Sequence, residues 1–276
     1  MHSIVLTVHN KDWLLPKVLK GIVDNTVSPY ELVIVLDGCT DSSEQIVDYF
    51  VKSTPDVKVK IVNTPDVFET KANNAGLREC EGDKVIIVQD DMVIKETGWN
   101  DRLEKPFDEF IDVFAVTSRS AFNYRFNQNS IHINLCKEED LSIDNCWSDI
   151  FGYESHTNRD EGLSRNIFAV RNNVCRGPLM IDHADMIKLN YFDEVFAPQD
   201  QDDADLCYRA FKELGKVVGA YWIDYESDNS WGSTRPDGRN PASWLLKAHH
   251  KNTRIVFDRH KDIIFHENHD QNRVLK

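Results

Sequence analysis

The stretch VIIVQDDMVI, residues 85–94, joins an apolar run to two adjacent carboxylates. Its first four residues are β-branched and apolar, which favours a buried β-strand. Asp90 and Asp91 then follow side by side, and the apolar run resumes at Met92. Two carboxylates at the end of an interior strand are unusual, and the surrounding sequence indicates why they are there.

Outward from this stretch, short apolar segments alternate with helical patterns. We predict strands at 3–8, 31–36, 57–62 and 84–89, with helices over 13–22, about 41–51 and 71–80 between them. Strands that alternate with helices indicate right-handed βαβ units and a mostly parallel sheet. The continuous apolar strands agree, because a parallel sheet is covered on both faces.

Polar residues follow three of these strands: His9-Asn10, Asp37-Gly38 and Asp90-Asp91. In open α/β sheets, ligands bind beyond the carboxyl ends of the strands. The paired carboxylates therefore lie where the predicted fold offers a site.

The second half of the chain is less regular. Residues 119–176 are polar with little periodicity, and a stretch of that length predicts a functional insertion with local structure. We predict further elements at 112–118, 177–182, 202–215, 216–223 and from Ser243 to about Arg259.

Composition narrows the function. The chain has 276 residues, 41% hydrophobic, enough for one large core. A net charge of −14 argues against nucleic acid as a partner. No apolar run approaches the roughly 20 residues of a membrane helix, and no signal peptide is visible, although peripheral membrane association stays open. Six scattered cysteines without a CxxC pair indicate a reduced, cytoplasmic protein.

Several catalytic motifs are missing. No GxGxxG, GxxxxGK[ST] or GxSxG occurs, which argues against dinucleotide-binding, P-loop and α/β-hydrolase enzymes. The terminal HENH, residues 266–269, is more typical of a solvated face than of a metal site.

The site residues each have two interpretations. Asp90 and Asp91 either cap a turn or hold Mg²⁺ or Mn²⁺, which prefer carboxylate oxygens and commonly bridge to phosphates. Asp37 either accepts a hydrogen bond from a base or belongs to a turn, and Asn10 has the same ambiguity. Lys71 faces either a phosphate or solvent.

A second acidic cluster lies in QDQDDADLC, residues 199–207. Acids stabilise a helix N-terminus, which accounts for one or two of these carboxylates. The remainder indicates a second role, and a general base presented from this turn is the one we expect.

Four segments, in order, resemble the inverting family 2 glycosyltransferases of the GT-A fold. SIVLTVHNKDWLLPKVLKGI is similar to their first strand and helix, and ELVIVLDGCTDSS to their Asp-Asp-Gly-Ser segment. KANNAGLRECEGDKVIIVQDD is similar to the region that leads into their metal-binding Asp-x-Asp, and the segment 176–215 to their acceptor side. The resemblance spans about 3–223.

The resemblance implies metal-dependent transfer of a sugar, with inversion, from a nucleoside diphosphate sugar to a hydroxyl of a glycan or another acceptor. UDP is the expected nucleotide, and Mn²⁺ or Mg²⁺ the cofactor. The implied nucleotide contacts are Thr7, His9, Asn10, Asp37 and, at the ribose or donor sugar, Asp90. Asp91 would be the metal ligand, and Asp203 the base, with Asp202 at the preceding acidic position.

The chain departs from the family pattern in two ways. Gln89 replaces the first carboxylate of Asp-x-Asp, and no histidine follows the last strand to complete a metal site. Trp231 and Arg235 belong to a turn-rich segment that is either a lid over donor or acceptor or a flexible loop. We expect a domain over 1–224, with a nucleotide-binding half (1–118) and an acceptor-side half (119–224), and a mobile loop and helical tail (225–276) that pack on it.

Two other functions stay open at this point. Sugar-phosphate nucleotidyltransferases share the general fold, but they carry a Gly-rich basic loop where this chain has VHNKDW. A non-catalytic glycan- or nucleotide-binding module is the other alternative. In such a module, Tyr124, Trp147 and Tyr153 would stack on sugars or simply belong to the core.

Overall fold

The computed structural model describes residues 1–127, 151–159, 163–232, 243–267 and 269–276. The strands of these residues are β1 (His2–Val8), β2 (Tyr30–Asp37), β3 (Lys58–Thr64), β4 (Lys84–Gln89), β5 (Met92–Ile94), β6 (Val113–Thr117), β7 (Ser120–Phe126), β8 (Phe151–Asn158), β9 (Ile167–Arg171), β10 (Asn173–Val174), β11 (Leu179–Asp182), β12 (Val217–Ala220), β13 (Tyr225–Ser227) and β14 (Gln271–Val274). The α-helices are α1 (Leu15–Asn25), α2 (Ser43–Ser53), α3 (Phe68–Leu77), α4 (Trp99–Glu109), α5 (His183–Lys188), α6 (Asp202–Arg209) and α7 (Ser243–His266).

A nine-stranded sheet in the order β14-β9-β12-β6-β11-β4-β1-β2-β3 forms the centre of the molecule. The strands β1 to β4 are parallel, and β12 runs parallel to β6. Two strands, β9 and β11, are antiparallel to their neighbours. The predicted α/β class with a mostly parallel sheet is confirmed.

The core shows why the parallel strands are apolar throughout. In β1, Ile4, Leu6 and Val8 pack in a cluster on one side of the sheet, and Val5 packs in a cluster on the other. All four side chains are fully buried. Each such side chain stabilises the fold by about 1.5–3 kcal/mol, so both layers of helices are held to one sheet.

A second, three-stranded sheet, β10-β7-β8, covers α6 and α7 on the other half of the molecule. Residues 119–176 were predicted as a functional insertion with some local structure; the described residues of this stretch form β7 to β10, and β9 belongs to the central sheet. The pattern of β7 (Ala-Phe-Asn-Tyr-Arg-Phe) alternates apolar and polar residues with the period of a strand, and the sequence analysis missed it.

The C-terminal residues also differ from the prediction. The helix α7 continues to His266 rather than ending near Arg259, and β14 then pairs with β9 at the edge of the central sheet. The predicted helix 202–215 is α-helical only to Arg209 and continues as a π-helix over Ala210–Leu214. None of the helices that the structure describes combines the length and hydropathy needed to cross a membrane.

Candidate active site

A cavity of about 350 Å³ opens at the carboxyl ends of β1, β2 and β4, where the sequence predicted a site. Five residues of the predicted site line it: Thr7, His9, Asp37, Asp90 and Asp91. The other lining residues are Phe68, Glu69, Asn73, Val88, Gln89, Gly232, Trp244 and Leu245.

The two adjacent aspartates after β4 have different surroundings. Asp90 accepts a hydrogen bond from the backbone N–H of His9 at 3.0 Å, and its carboxylate lies 3.8 Å from the Lys11 ammonium. Burial raises the pKa of Asp90 to about 7, although the charge of Lys11 opposes that rise. Asp91 has no hydrogen-bond or ion-pair partner among the described residues, and its carboxylate faces the backbone of Gly232. One carboxylate is therefore tied to the protein, and the other is available to a ligand.

Asp37 organises the loop between β3 and α3. Its carboxylate accepts hydrogen bonds from the Thr64 hydroxyl (2.7 Å) and from the backbone N–H groups of Val67 (2.7 Å) and Phe68 (2.8 Å). Its carbonyl oxygen lies 2.6 Å from Nδ1 of His9, so that ring nitrogen carries the proton. Asp37 lines the cavity, but most of its accepting capacity is used within the protein.

The remaining predicted nucleotide contacts differ in position. The Thr7 hydroxyl donates to the amide oxygen of Asn73 at 2.8 Å, and both residues line the cavity. Asn10 does not line it, because its amide oxygen accepts from the backbone N–H of Thr40 at 2.7 Å and stabilises a turn. Lys71 is exposed on α3 and is not among the lining residues.

Lys11 is a part of the site that the sequence analysis missed. The residue is only 2% exposed, and its ammonium group donates to the carbonyl oxygen of Trp231 besides facing Asp90. A buried ammonium group is costly unless it is paired, so this lysine links the acidic turn to the segment around Trp231. Nothing in the segment VHNKDW distinguishes it from an ordinary surface lysine.

Trp231 ends a 3-10 turn, Asn229–Trp231, beside α1. Its ring meets that of Trp13 edge-on at 6.3 Å between centroids, and the Lys17 ammonium lies 5.2 Å from the centre of the ring. The following residue, Gly232, lines the cavity, whereas the indole does not. Arg235, the other predicted lid residue, lies outside the described residues.

The second acid pair begins α6, which packs on the same side of the sheet as α3. Asp202 is fully buried, and both of its oxygens pair with the Arg176 guanidinium at 2.7 and 2.8 Å. The Thr70 hydroxyl donates to the same carboxylate at 2.8 Å. Asp202 thus joins α3, α6 and the segment before β11, and its lone pairs are occupied by the protein.

Asp203 is the less constrained member of this pair. It is partly exposed, and one of its oxygens accepts from the backbone N–H of Ala204 at 2.9 Å. Burial raises the pKa of Asp203 to about 7; the charge of Arg176 opposes this rise, and three neighbouring carboxylates add to it. Those carboxylates belong to Asp202, Asp200 and Glu69. A carboxylate with a pKa near 7 is suited to accept a proton at neutral pH.

A chain of polar contacts connects the cavity with the second pair. Glu69 lines the cavity and lies 3.3 Å from Nε of Arg176, the arginine that holds Asp202. The side-chain amide of Gln89 donates to Glu69 at 3.2 Å and accepts from Arg119 at 3.1 Å. The amide that replaces the first carboxylate of Asp-x-Asp therefore joins this network.

The helix α7 approaches both acid pairs. Its first turn brings Trp244 and Leu245 to the cavity, and further along it His249 pairs with Asp200, close to Asp203. The sequence predicted the helix but gave no role to its first turn. Of the aromatic residues considered for sugar stacking, Tyr124 is buried with its hydroxyl 3.1 Å from Gln201, Tyr153 is 65% exposed, and Trp147 lies outside the described residues.

Among the described residues, two groups of side chains converge closely enough to share a cation. One is His9, Asp37 and Asp66 at the rim of the cavity, where Asp37 is already engaged by its loop. The other is His2, Asp101 and Glu104 at the opposite end of β1. Neither of these two groups of described residues includes Asp91.

Comparison with known proteins gives a consistent result. The model of the family described as "Glycosyl transferase family 2" matches residues 3–169. A protein of Haemophilus influenzae named "Uncharacterized glycosyltransferase" is 28% identical over 125 residues, 45% of this chain and 47% of that protein. The chain spans less than half the length of the curated relatives it matches.

Solved structures agree on the fold. GalNAc-T7 with UDP, GalNAc and Mn²⁺ superposes with a TM-score of 0.67 at 13% identity, over 96% of this chain and 50% of that one. Residues 1–349 of S. aureus TarS superpose with a TM-score of 0.53 at 15% identity, over 83% and 60%. The same fragment in complex with UDP-GlcNAc gives 0.50. Both likenesses cover a larger share of the chain than residues 3–169, which the family model matches.

Proposed function

The chain belongs to glycosyl transferase family 2, and from this premise we propose that it transfers a sugar from a nucleoside diphosphate sugar to an acceptor hydroxyl. One observation carries the proposal: within the cavity, Asp91 is a carboxylate without a partner among the described residues, beside Asp90, which the protein already holds. UDP is the proposed nucleotide, because the neighbours TarS and GalNAc-T7 were solved with UDP or UDP-GlcNAc.

The carboxylate oxygens at the cavity suit a divalent cation. Carboxylate oxygens are the ligands that Mg²⁺ and Mn²⁺ prefer, and Mg²⁺ commonly takes one or two carboxylates together with substrate phosphates. Asp91 would hold the ion, and Gln89 would not, because its amide is engaged with Glu69 and Arg119. When bound, such an ion stabilises the negative charge of a departing diphosphate.

The residues of the proposed site have different roles. Thr7 and His9 line the part of the cavity proposed for the nucleoside, and Lys11 holds Asp90 and the carbonyl of Trp231 in place. We assign Asp203 as the general base, since its pKa of about 7 lets it take the proton from an acceptor hydroxyl as that oxygen attacks. Asp202 would position Asp203 through the helix N-terminus that they share.

Attack by an activated hydroxyl on the face opposite the diphosphate predicts inversion at the anomeric carbon. The departing bond should break ahead of the new one, which gives the carbon oxocarbenium character. Product analysis by NMR after one turnover would measure the configuration directly. Retention of configuration would remove Asp203 from the role of simple base.

The identity of the acceptor, the cytoplasmic location and the domain division at residue 224 stay predictions. Glycans and other hydroxyl-bearing molecules are the proposed acceptors. The four cysteines that the structure describes are free thiols, and a reduced compartment is the proposed environment.

The test is a screen of UDP-, GDP- and dTDP-sugars with and without Mn²⁺. A donor that binds the native state raises the melting temperature in proportion to its affinity. We expect stabilisation by a UDP-sugar that depends on Mn²⁺, and slow hydrolysis or transfer of that donor. Binding without any turnover over a broad set of acceptors would instead indicate a non-catalytic nucleotide-binding module.

A further inference from the structure

The cavity has an aromatic corner that the proposed chemistry does not use. Phe68 and Trp244 line the cavity, as do the apolar residues Val88 and Leu245. The two rings meet edge-to-face, with 5.0 Å between centroids and an interplanar angle of 86°. They come from distant parts of the chain, the start of α3 and the start of α7.

The backbone of Phe68 has a conformation that a bulky residue ordinarily avoids. Its φ is +70°, in the left-handed region that bulky side chains avoid and glycine occupies freely. Asp37 maintains this conformation by accepting from the N–H groups of Val67 and Phe68. Strained residues of this kind concentrate at ligand sites, where the surrounding structure stabilises them.

Trp244 supplies the surface on which a ligand could lie. Its side chain is 46% exposed although it lines a cavity, and the edge-to-face contact with Phe68 leaves ring surface uncovered. A large, rigid, partly covered indole inside a pocket is a suitable platform for a flat ring.

The position of Phe68 and Trp244 in the cavity indicates which part of a bound ligand would contact them. The backbone N–H of Phe68 donates a hydrogen bond to the Asp37 carboxylate. The carbonyl oxygen of Asp37 accepts one from His9, at the ends of β1 and β2. Asp91 follows β4, on the other side of β1 from β2. A ligand whose diphosphate is held near Asp91 would extend its nucleoside across the end of β1 toward Phe68.

We propose that Phe68 and Trp244 form the nucleobase subsite, in which the base of a nucleoside diphosphate stacks on the indole of Trp244 and Phe68 fixes the orientation of that indole. This inference rests on the proposed function. Stacking on an aromatic side chain contributes substantially for any base, so the subsite would supply affinity, and polar groups nearby would supply the choice of base.

Calorimetric titration with UDP in the presence of Mn²⁺ tests the subsite. We expect Trp244→Leu to weaken UDP binding about 5- to 150-fold, the range typical of one lost base stack, and Trp244→Phe to retain most of the affinity. Tyr49→Leu is the matched control, because Tyr49 is an aromatic residue 74% exposed on α2, and its replacement should leave the affinity unchanged.

Two further titrations distinguish a stack on the base from general damage to the site and from a contact with the sugar. Inorganic pyrophosphate with Mn²⁺ should bind wild type and Trp244→Leu equally, since it has no base; an equal loss for pyrophosphate and UDP would overturn the subsite as general damage. A loss seen with a UDP-sugar but not with UDP would overturn it in favour of a contact with the sugar.

Phe68→Gly gives an independent readout. Glycine adopts the observed backbone conformation without strain, so the melting temperature should not fall, whereas UDP binding should weaken. A variant that loses both stability and binding would contradict the inference. If wild-type protein binds no nucleoside diphosphate at all, the proposed function itself fails, and that outcome is distinct from normal binding by Trp244→Leu, which overturns the subsite alone.

Discussion

Two pairs of adjacent aspartates, Asp90-Asp91 and Asp202-Asp203, lie at the two sides of the proposed reaction centre. In each pair the first residue is held by the protein, through His9 and Lys11 for Asp90 and through Arg176 and Thr70 for Asp202. The second residue of each pair has fewer contacts. Each pair thus has one carboxylate held by the protein and one with fewer contacts; Asp91 lines the cavity, and Asp203 is not among the lining residues.

The two pairs differ in how their charge is balanced. Arg176 forms two hydrogen bonds to Asp202 at 2.7 and 2.8 Å, whereas the Lys11 ammonium stands 3.8 Å from Asp90 and bonds instead to a carbonyl. In the donor-side pair, Asp90 and Asp91, burial raises the pKa of Asp90 to about 7 against the charge of Lys11. The acceptor-side pair is neutralised at Asp202, and at Asp203 burial and the nearby carboxylates favour the proton.

The largest effect is expected at Asp203, the proposed general base in the acceptor-side pair of Asp202 and Asp203. Asp203→Asn should lower kcat about 10²- to 10⁴-fold, the usual contribution of a general base, and should leave the affinity for UDP with Mn²⁺ unchanged. Steady-state transfer assays and calorimetry measure the two quantities. Equal kcat in the variant would show that the pair has no catalytic member at position 203.

The next effect concerns stability and separates the two members of that pair. Asp202→Ala leaves the buried Arg176 guanidinium without its carboxylate, so the free energy of unfolding should fall by about 3–5 kcal/mol. Urea denaturation measures it. The control is Asp24→Ala, which removes an exposed ion pair with Lys20 and should cost about 0–1 kcal/mol. A loss for Asp202→Ala as small as that of the control would refute its structural role.

The donor-side pair should respond to metal instead. Asp91→Asn should abolish the stabilisation of the protein by UDP with Mn²⁺, which for wild type is about 2.7 kcal/mol when the ligand is at 100 times its Kd. Its stability without ligand should remain close to that of wild type, because Asp91 has no partner to lose among the described residues. Thermal unfolding with and without ligand decides this, and undiminished stabilisation would exclude Asp91 as the ligand.

The raised pKa of Asp203 gives two pH dependences of known sign. Since the base must be ionised, kcat/KM should rise with pH through about 7 and then level off. The folded protein binds this proton more tightly than the unfolded chain, whose aspartates have a pKa near 3.9. Stability from this group is therefore complete below about pH 4 and is lost as pH rises to about 7.

Asp203→Asn should flatten that part of the stability profile, which pH-dependent urea denaturation would show. Among the described residues, the charged groups that act on Asp203 are those of Arg176, Asp202, Asp200 and Glu69, and the neutral phenol of Tyr124 lies nearby. An unchanged profile in the variant would assign the transition to another group, first of all Asp90, whose pKa burial also raises to about 7.

The smallest expected effect concerns the influence of Asp200 on the pKa of Asp203. Asp200 is one of the carboxylates that raise the pKa of Asp203, so Asp200→Asn should move the midpoint of the pH–rate profile downward. The variant also loses the partly exposed pair with His249, which should cost less than about 1 kcal/mol. A midpoint that moves upward would show that Asp200 does not act on Asp203 through its charge.

The sequence predicted those parts of the molecule in which local pattern and burial agree. Apolar runs such as 84–89 are strands because both faces of the sheet are covered, and their carboxyl ends located the cavity. The sequence analysis did not predict α4, because its sequence WNDRLEKPFDE is charged and contains Pro106. It also missed β14, a polar edge strand whose pairing with β9 is not indicated by any local pattern.

The site shows the same limit. Residue types identified both acid pairs, but not which member is held by the protein, because that depends on Lys11 and Arg176, which lie far from the aspartates in sequence. Phe68 and Trp244 were missed for a similar reason: 176 positions separate them, and only the fold brings them to one corner.

The central claim is that Asp91 holds the cation that binds the donor's diphosphate. A crystal soaked with Mn²⁺ and UDP, measured for anomalous scattering from manganese, tests it most directly. The account predicts a peak in contact with an Asp91 oxygen and with both phosphates of UDP. A bound UDP without manganese at Asp91, or a manganese peak confined to His9, Asp37 and Asp66, would contradict it.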